Sequence, residues 1–163
     1  MDKDAIDDIL DQWSIERPEL DTAALGVVIR VMTLNRRFAR EAARALEALG
    51  LELFEYDVLS ALRRQGKPFA LPATALARET DLSAGAMTNR IDRLEERGLV
   101  ERKPDATDRR SVIVRLTRKG IEVIDEAIHV RLKVARESLA ELGKADLNRL
   151  AALLRAVVLG DGD

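Results

Sequence analysis

Along the 163-residue chain the apolar positions fall into helical stripes, then briefly into a strand-like alternation, then into helical stripes again. Ile6, Ile9, Leu10 and Trp13 recur at three- and four-residue spacing and predict a short acidic helix over Asp2 to Trp13, broken by Arg17-Pro18. Asp21 or Thr22 is placed to cap a long second helix running to about Leu49. Its inner stripe is Leu25, Val28, Ile29, Met32, Ala39, Ala42, Leu46 and Leu49, and Gly50 stops it. Arg30, Arg36, Arg37, Arg40 and Arg44 decorate this helix and are expected on a solvated face. A third helix covers about Leu53 to Gln65, with Phe54, Val58, Leu59 and Leu62 inward, until Gly66-Lys67-Pro68. Pro72 suits the first position of a short helix through Glu79. After the tight turn Thr80-Asp81-Leu82, Ser83 caps a helix over Ala84 to Arg97, with Met87, Ile91 and Leu94 inward and Gly98 beyond its end.

The period then changes. Leu99 to Lys103 and Ser111 to Leu116 alternate, with Val112, Val114 and Leu116 on one face. Between them lies the polar loop Pro104 to Arg110, so the pair predicts a β-hairpin with a charged tip. Thr117 caps a long helix with Ile121, Ile124, Ile128, Leu132, Ala135 and Leu139 inward. After Leu142-Gly143-Lys144 a last helix carries Leu147, Leu150, Leu153, Leu154, Val157 and Val158, and Gly160 to Asp163 are expected to fray. The fold class is therefore mainly α with a small β-hairpin, and the order helix, turn, helix, hairpin is that of a winged helix-turn-helix.

In such a unit the second helix enters the major groove of DNA. The helix after Ser83 offers Thr88, Asn89 and Arg93 opposite its apolar stripe, and Asn and Arg pair well with adenine and guanine edges. Arg109 and Arg110 at the hairpin tip suit phosphates or a narrow minor groove. The overall charge argues the other way: 27 basic against 29 acidic residues give a net −2. From Ser83 to Gly120, however, ten basic residues face six acidic ones, leaving 17 against 23 elsewhere. A segment of +4 is set in a body of −6, which is a workable footprint for double-stranded DNA. Of the basic residues 21 are Arg and 6 are Lys. Arg suits phosphates, guanine edges and organic anions, although an Arg excess beside abundant Ala also fits codon bias.

Other counts exclude chemistry. There is no Cys, hence no disulfide, thiolate metal site or thiol-oxidation switch. The single His129 is an ordinary helix residue, so neither a His-based metal site nor a Ser-His triad is expected. No nucleophile–base set or phosphate loop is visible, and Asp7 and Asp11 lie on a solvated helix face, so no enzyme, catalytic residue or cofactor is expected. The N-terminus lacks a signal-peptide layout and no run suits a membrane span, so a cytoplasmic protein without membrane contact is expected.

The string from Leu82 to Gly120, LSAGAMTNRIDRLEERGLVERKPDATDRRSVIVRLTRKG, resembles the DNA-binding half of the MarR family of transcriptional regulators. GLVER, then Asp108-Arg109-Arg110, then Leu116-Thr117 and Gly120 carry the likeness, which extends from about residue 22 to the end. The resemblance implies a homodimer. Residues 1–50 would hold an added helix and a dimerisation helix, 51–116 the DNA-binding domain and 117–163 the C-terminal dimerisation helices. It implies a repressor on a pseudo-palindromic operator, with Ser83, Thr88, Asn89, Arg90, Arg93, Lys103, Asp108, Arg109 and Arg110 at the DNA and Asp108 orienting Arg110.

The extra first helix and the stretch FEYDVLSALRRQGKPFALPATALA, Phe54 to Ala77, are similar to the urate-responsive branch of that family. The matching ligand residues are Trp13, Asp57, Arg90 and Arg102, which implies release by a small aromatic or anionic effector such as urate or an aromatic acid. Trp13 can stack a flat ring or simply anchor its helix. Asp57 can pair with Arg90 or accept from a ligand N–H. A ligand that displaced Arg90 would tilt the recognition helix. The competing expectation is a winged-helix protein-interaction module without ligand response.

Overall fold

The computed structural model describes residues 3–105 and 111–160, among which seven helices and three strands are found. The chain divides into two units, Met1–Glu41 and Ala42–Asp163.

The first unit holds α1 (Ala5–Glu16) and most of α2 (Ala23–Glu47). Asp4 caps α1 by accepting from the Ile6 and Asp7 backbone N–H groups, and Asp7 accepts from the Asp4 N–H in return. The expected solvated role fails for Arg30. Its guanidinium donates to Asp4 at 2.9 Å and to Asp7 at 2.7 Å, tying α1 to α2 and giving Asp7 a partner. Gly26 allows the close approach, because a Cβ there would lie 2.7 Å from the Leu10 side chain.

In the second unit Ala42 and Leu46 at the end of α2 are buried. There follow α3 (Leu53–Arg64), β1 (Ala70–Pro72), α4 (Ala73–Glu79), α5 (Ala84–Glu96), β2 (Val100–Pro104), β3 (Val112–Leu116), α6 (Arg118–Ser138) and α7 (Lys144–Gly160). Val58, Leu59 and Leu62 of α3, Leu76 of α4, Met87, Ile91 and Leu94 of α5, and Ile124 of α6 form one core with Leu99, Val100, Val114 and Leu116. On α3 and α5 they recur at helical spacing, so each of those two helices buries one stripe there.

The hairpin is part of a three-stranded antiparallel sheet in the order β1-β3-β2. Leu71 faces Val114 across one ladder, and Val100 faces Leu116 across the other. The first strand was not expected, since Ala70-Leu71-Pro72 is too short to alternate. Pro72 ends β1 and stands at the N-cap of α4, one place before its expected position. Val112 was expected to share the inner face with Val114 and Leu116 but is exposed at the outer end of β3. Thr117 caps α6 by accepting from the Gly120 N–H at 3.0 Å. A Cβ at Gly120 would lie 2.0 Å from the Leu99 carbonyl oxygen, so only glycine lets α6 start against the sheet.

Two expected inner stripes stay open. Leu25, Val28 and Met32 of α2 are exposed, as are Leu147, Leu153, Leu154, Val157 and Val158 of α7. Among the described residues no helix is long and apolar enough to cross a membrane.

Candidate nucleic-acid interface

Helix α4, the turn Thr80-Asp81-Leu82 and helix α5 form the helix-turn-helix. Asp81 takes φ +52, and the Leu82 N–H donates to the Ala77 carbonyl at 2.9 Å. The Thr80 hydroxyl donates to the Leu76 carbonyl at 2.8 Å, closing the end of α4. Ser83 Oγ then accepts from the Ala86 N–H and starts α5. Burial of Met87, Ile91 and Leu94 fixes which way the helix faces. Thr88 and Asn89 are thereby exposed, with the Thr88 hydroxyl turned back to the Ala84 carbonyl at 3.0 Å.

Of the two α5 arginines, Arg90 is less open than the pattern implies and Arg93 is exposed. Arg90 is half-buried, its guanidinium 4.7 Å from the centroid of the Phe54 ring. The Arg93 guanidinium lies 5.7 Å from that centroid and 3.7 Å from Glu52. Lys103 on β2 is exposed beside Glu101 at 2.9 Å. The wing-tip candidates Asp108, Arg109 and Arg110 lie outside the described residues.

The four effector candidates sit in different settings. Arg102 is gripped by α5. It donates to Asp92 at 2.5 Å and to Glu95, and its backbone N–H donates to Glu95 at 3.0 Å. Burial opposes the Arg102 charge, but the hydrogen bonds to Asp92 and Glu95 outweigh it and hold its pKa above the ordinary arginine value. Asp57 stands on α3 at the mouth of a cleft of about 300 Å³ shared with Ser60, Arg64, Glu79, Thr80 and Asp81. The surrounding protein pushes its carboxyl above the usual aspartate range, and the charges of Arg131, Arg90 and Arg64 offset this only in part. Among the described residues no ion pair within 4.0 Å joins Asp57 to Arg90; the latter rests on Phe54 instead. Trp13 belongs to the first unit. There it is 42% exposed and lines a shallow recess with Ile9, Gln12, Ile15 and Glu16. Among the described residues no group of three His, Cys, Asp or Glu side chains is placed to hold a metal.

Sequence reasoning missed Arg131 of α6. Its guanidinium lies 5.6 Å from the Tyr56 ring centroid, and its Nε is buried without a hydrogen-bond partner. A lone arginine on a helix gives no sign of such a contact. It also missed Glu52, Glu55 and Arg97 as neighbours of the interface; the clue was that the N-cap and first turn of α3 carry two carboxylates while α5 and its C-cap carry three arginines at three- and four-residue spacing.

Residues 49–111 match the sequence model of the MarR family. The HTH-type transcriptional regulator PecS of Dickeya dadantii is 30% identical over 152 residues, covering 93% of this chain and 92% of its own. Among solved structures, AbsC, a MarR family transcriptional regulator of Streptomyces coelicolor, superposes with a TM-score of 0.79 at 22% identity, over 86% of this chain and 95% of its own. A mutant MarR of E. coli complexed with operator DNA gives 0.75 at 24% identity, over 85% and 98%.

Proposed function

The chain belongs to the MarR family of winged-helix, DNA-binding transcriptional regulators, and we propose that it acts as a homodimeric repressor released by a small effector. The observation that carries the proposal is the open side of α5. Thr88, Asn89 and Arg93 are exposed, and the helix is held from behind by Met87, Ile91 and Leu94. That is the arrangement a major-groove reader needs: base-pairing side chains forward and a rigid attachment behind. Arg109 and Arg110 would add backbone or minor-groove contacts from the wing. The open apolar stripes of α2 and α7 suit a second copy of the chain, which would place two reading helices on a pseudo-palindrome.

The effector is a flat aromatic or anionic molecule, urate or an aromatic acid. Asp57 can accept from a ligand N–H, because its carboxylate has positive neighbours but, among the described residues, no hydrogen-bonded cation. Arg102 can take an anionic edge by exchanging Asp92 and Glu95 for it. Either event acts on α5, through the charge beside Arg90 or through the acids it presents to Arg102, so the effector biases the element that reads DNA.

Fluorescence anisotropy with duplexes drawn from the flanking intergenic DNA tests the proposal. Binding should prefer a pseudo-palindrome, weaken steeply with salt and weaken on Arg110→Ala. Binding indifferent to sequence and to salt would overturn it. Urate and aromatic acids are tested by thermal melting; a true effector raises the midpoint with concentration and releases the DNA, and Asp57→Asn and Trp13→Phe blunt both. No shift and no release with any of them would remove the effector from the proposal.

A further inference from the structure

We infer that the first turn of α3 positions the reading helix, through a fixed anchor between Glu55 and Arg97 and a releasable contact between Glu52 and Arg93. The inference rests on α5 being the helix that reads DNA.

Arg90, Arg93 and Arg97 recur at three- and four-residue spacing and so form one stripe along α5. Each meets the start of α3. The Phe54 ring lies under the guanidinium groups of both Arg90 and Arg93. Arg97 donates to Glu55 at 2.5 Å and, with its other terminal nitrogen, to the Gly50 carbonyl at 2.8 Å. The same Glu55 oxygen accepts from the Glu52 N–H at 2.9 Å, and Lys119 of α6 donates to the Arg97 carbonyl at 2.9 Å. The C-terminal end of α5 is thereby bolted to the turn before α3, to α3 itself and to α6.

The two carboxylates of this turn are in opposite situations. Glu55 is 3% exposed, the one charged side chain buried among the described residues. Its charge is tolerable only while Arg97 stays in place, so the pair holds α5 at one angle. Glu52 and Arg93 are both open to water and stand 3.7 Å apart, a contact too loose and too screened to hold anything by itself. An approaching phosphate or guanine edge can take Arg93 from Glu52, and until then Glu52 opposes the DNA with a negative charge beside the contact point. The Phe54 ring meanwhile keeps Arg90 and Arg93 extended, which reduces the freedom they lose on binding. Neighbouring acids in one turn should therefore act in opposite directions: losing Glu52 helps DNA binding, and disturbing the Glu55 anchor harms it.

The test uses the full chain and the duplex that it selects most tightly from a random library, with affinity read by anisotropy at 15 °C and folding by thermal melting. Glu52→Gln should bind about two- to threefold more tightly. Arg97→Lys keeps a charge opposite Glu55 but loses the fork to Gly50, and should weaken binding by about tenfold. This holds well below the melting midpoint, where a merely structural loss leaves the affinity of the folded protein unchanged. Phe54→Leu should weaken binding by about fivefold and Phe54→Tyr should restore it. Glu52→Gln binding no tighter, or Arg97→Lys binding equally well in the cold, would overturn the inference. Asn89→Ala is the control for its premise. If that variant binds normally, α5 is not the reading helix and the inference falls with it; if it loses binding while the α3-turn variants do not, the inference alone fails.

Discussion

Helices α5 and α7 both carry apolar stripes, and the chain treats them differently. Ile91 in α5 is 1% exposed, whereas Val157 in α7 is 67% exposed. Met32 in the first half of α2, at 54%, sides with α7. Periodicity states that a face is to be covered; it does not state by what. In the reading head the cover is the chain's own sheet and helices. In α7 and the early part of α2 those side chains stand exposed among the described residues, and long runs of open Leu and Val are a poor final state in water. The region from α3 to the start of α6 thus covers its own apolar stripes, whereas the flanking helices leave theirs open to a second copy of the chain, as the proposed homodimer requires.

The sharpest way to break that contrast is to put charge on α7. Leu154→Asp with Val157→Asp should leave the reading head folded, convert a dimer to a monomer in sedimentation, and weaken operator binding on the order of 1,000-fold as the two half-sites become independent. If the α7 face merely stands in water, the double variant keeps its mass and its affinity. The matching change in the self-sufficient region is Ile91→Ala. It empties a packed site and should cost about 2–4 kcal/mol in urea unfolding, lowering stability without changing the oligomer of the folded protein. Gly120→Ala probes the junction where α6 leaves the sheet. Its added methyl meets the Leu99 carbonyl at 2.0 Å, and the backbone shift should cost about 2–3 kcal/mol by the same measurement.

The same contrast explains what the amino-acid pattern revealed. Stripes and caps are local signals, and they placed α1 to α7 and the hairpin within a few residues, with Ser83 and Thr117 each capping a helix as expected; Asp4, inside the first helix by its pattern, is instead its cap. The strand β1 escaped because three residues ending in proline have no period; it exists only because β3 offers a free edge. Around the site, residue types marked Thr88, Asn89 and Arg93 as exposed candidates, but their neighbours come from far along the chain. Arg97 meets Glu55 across 42 positions, and Arg63 meets Asp125 across 62. Arg102 was singled out as an anion receptor, and the structure adds that two acids of α5 already occupy it. Such pairings depend on how helices pack, which no local period encodes.

The smallest expected effect concerns Asp57, where stability and function should diverge. Partial desolvation by the protein around it raises the folded pKa of this otherwise exposed group above the unfolded value, so the native state binds the proton more tightly than the unfolded chain does. The group's contribution to stability is then fully present below the unfolded pKa and is lost as pH rises through the raised folded one. At neutral pH the ionised carboxylate is a slight burden, partly relieved by Arg131, Arg90 and Arg64. Asp57→Asn cannot ionise and should be more stable at pH 7, by less than about 1 kcal/mol because the group is open to water. Its melting temperature should also change less between mildly acidic and neutral pH than that of the unmodified protein. The same variant should lose its response to the effector, because the acceptor for a ligand N–H becomes an amide with half the accepting capacity. A carboxylate that costs stability and serves the effector is the trade expected of a functional position. Melting curves across pH, with and without urate or an aromatic acid, read both halves together. A less stable Asp57→Asn would mean that the three arginines hold Asp57 as a structural partner, and the effector would then have to act elsewhere.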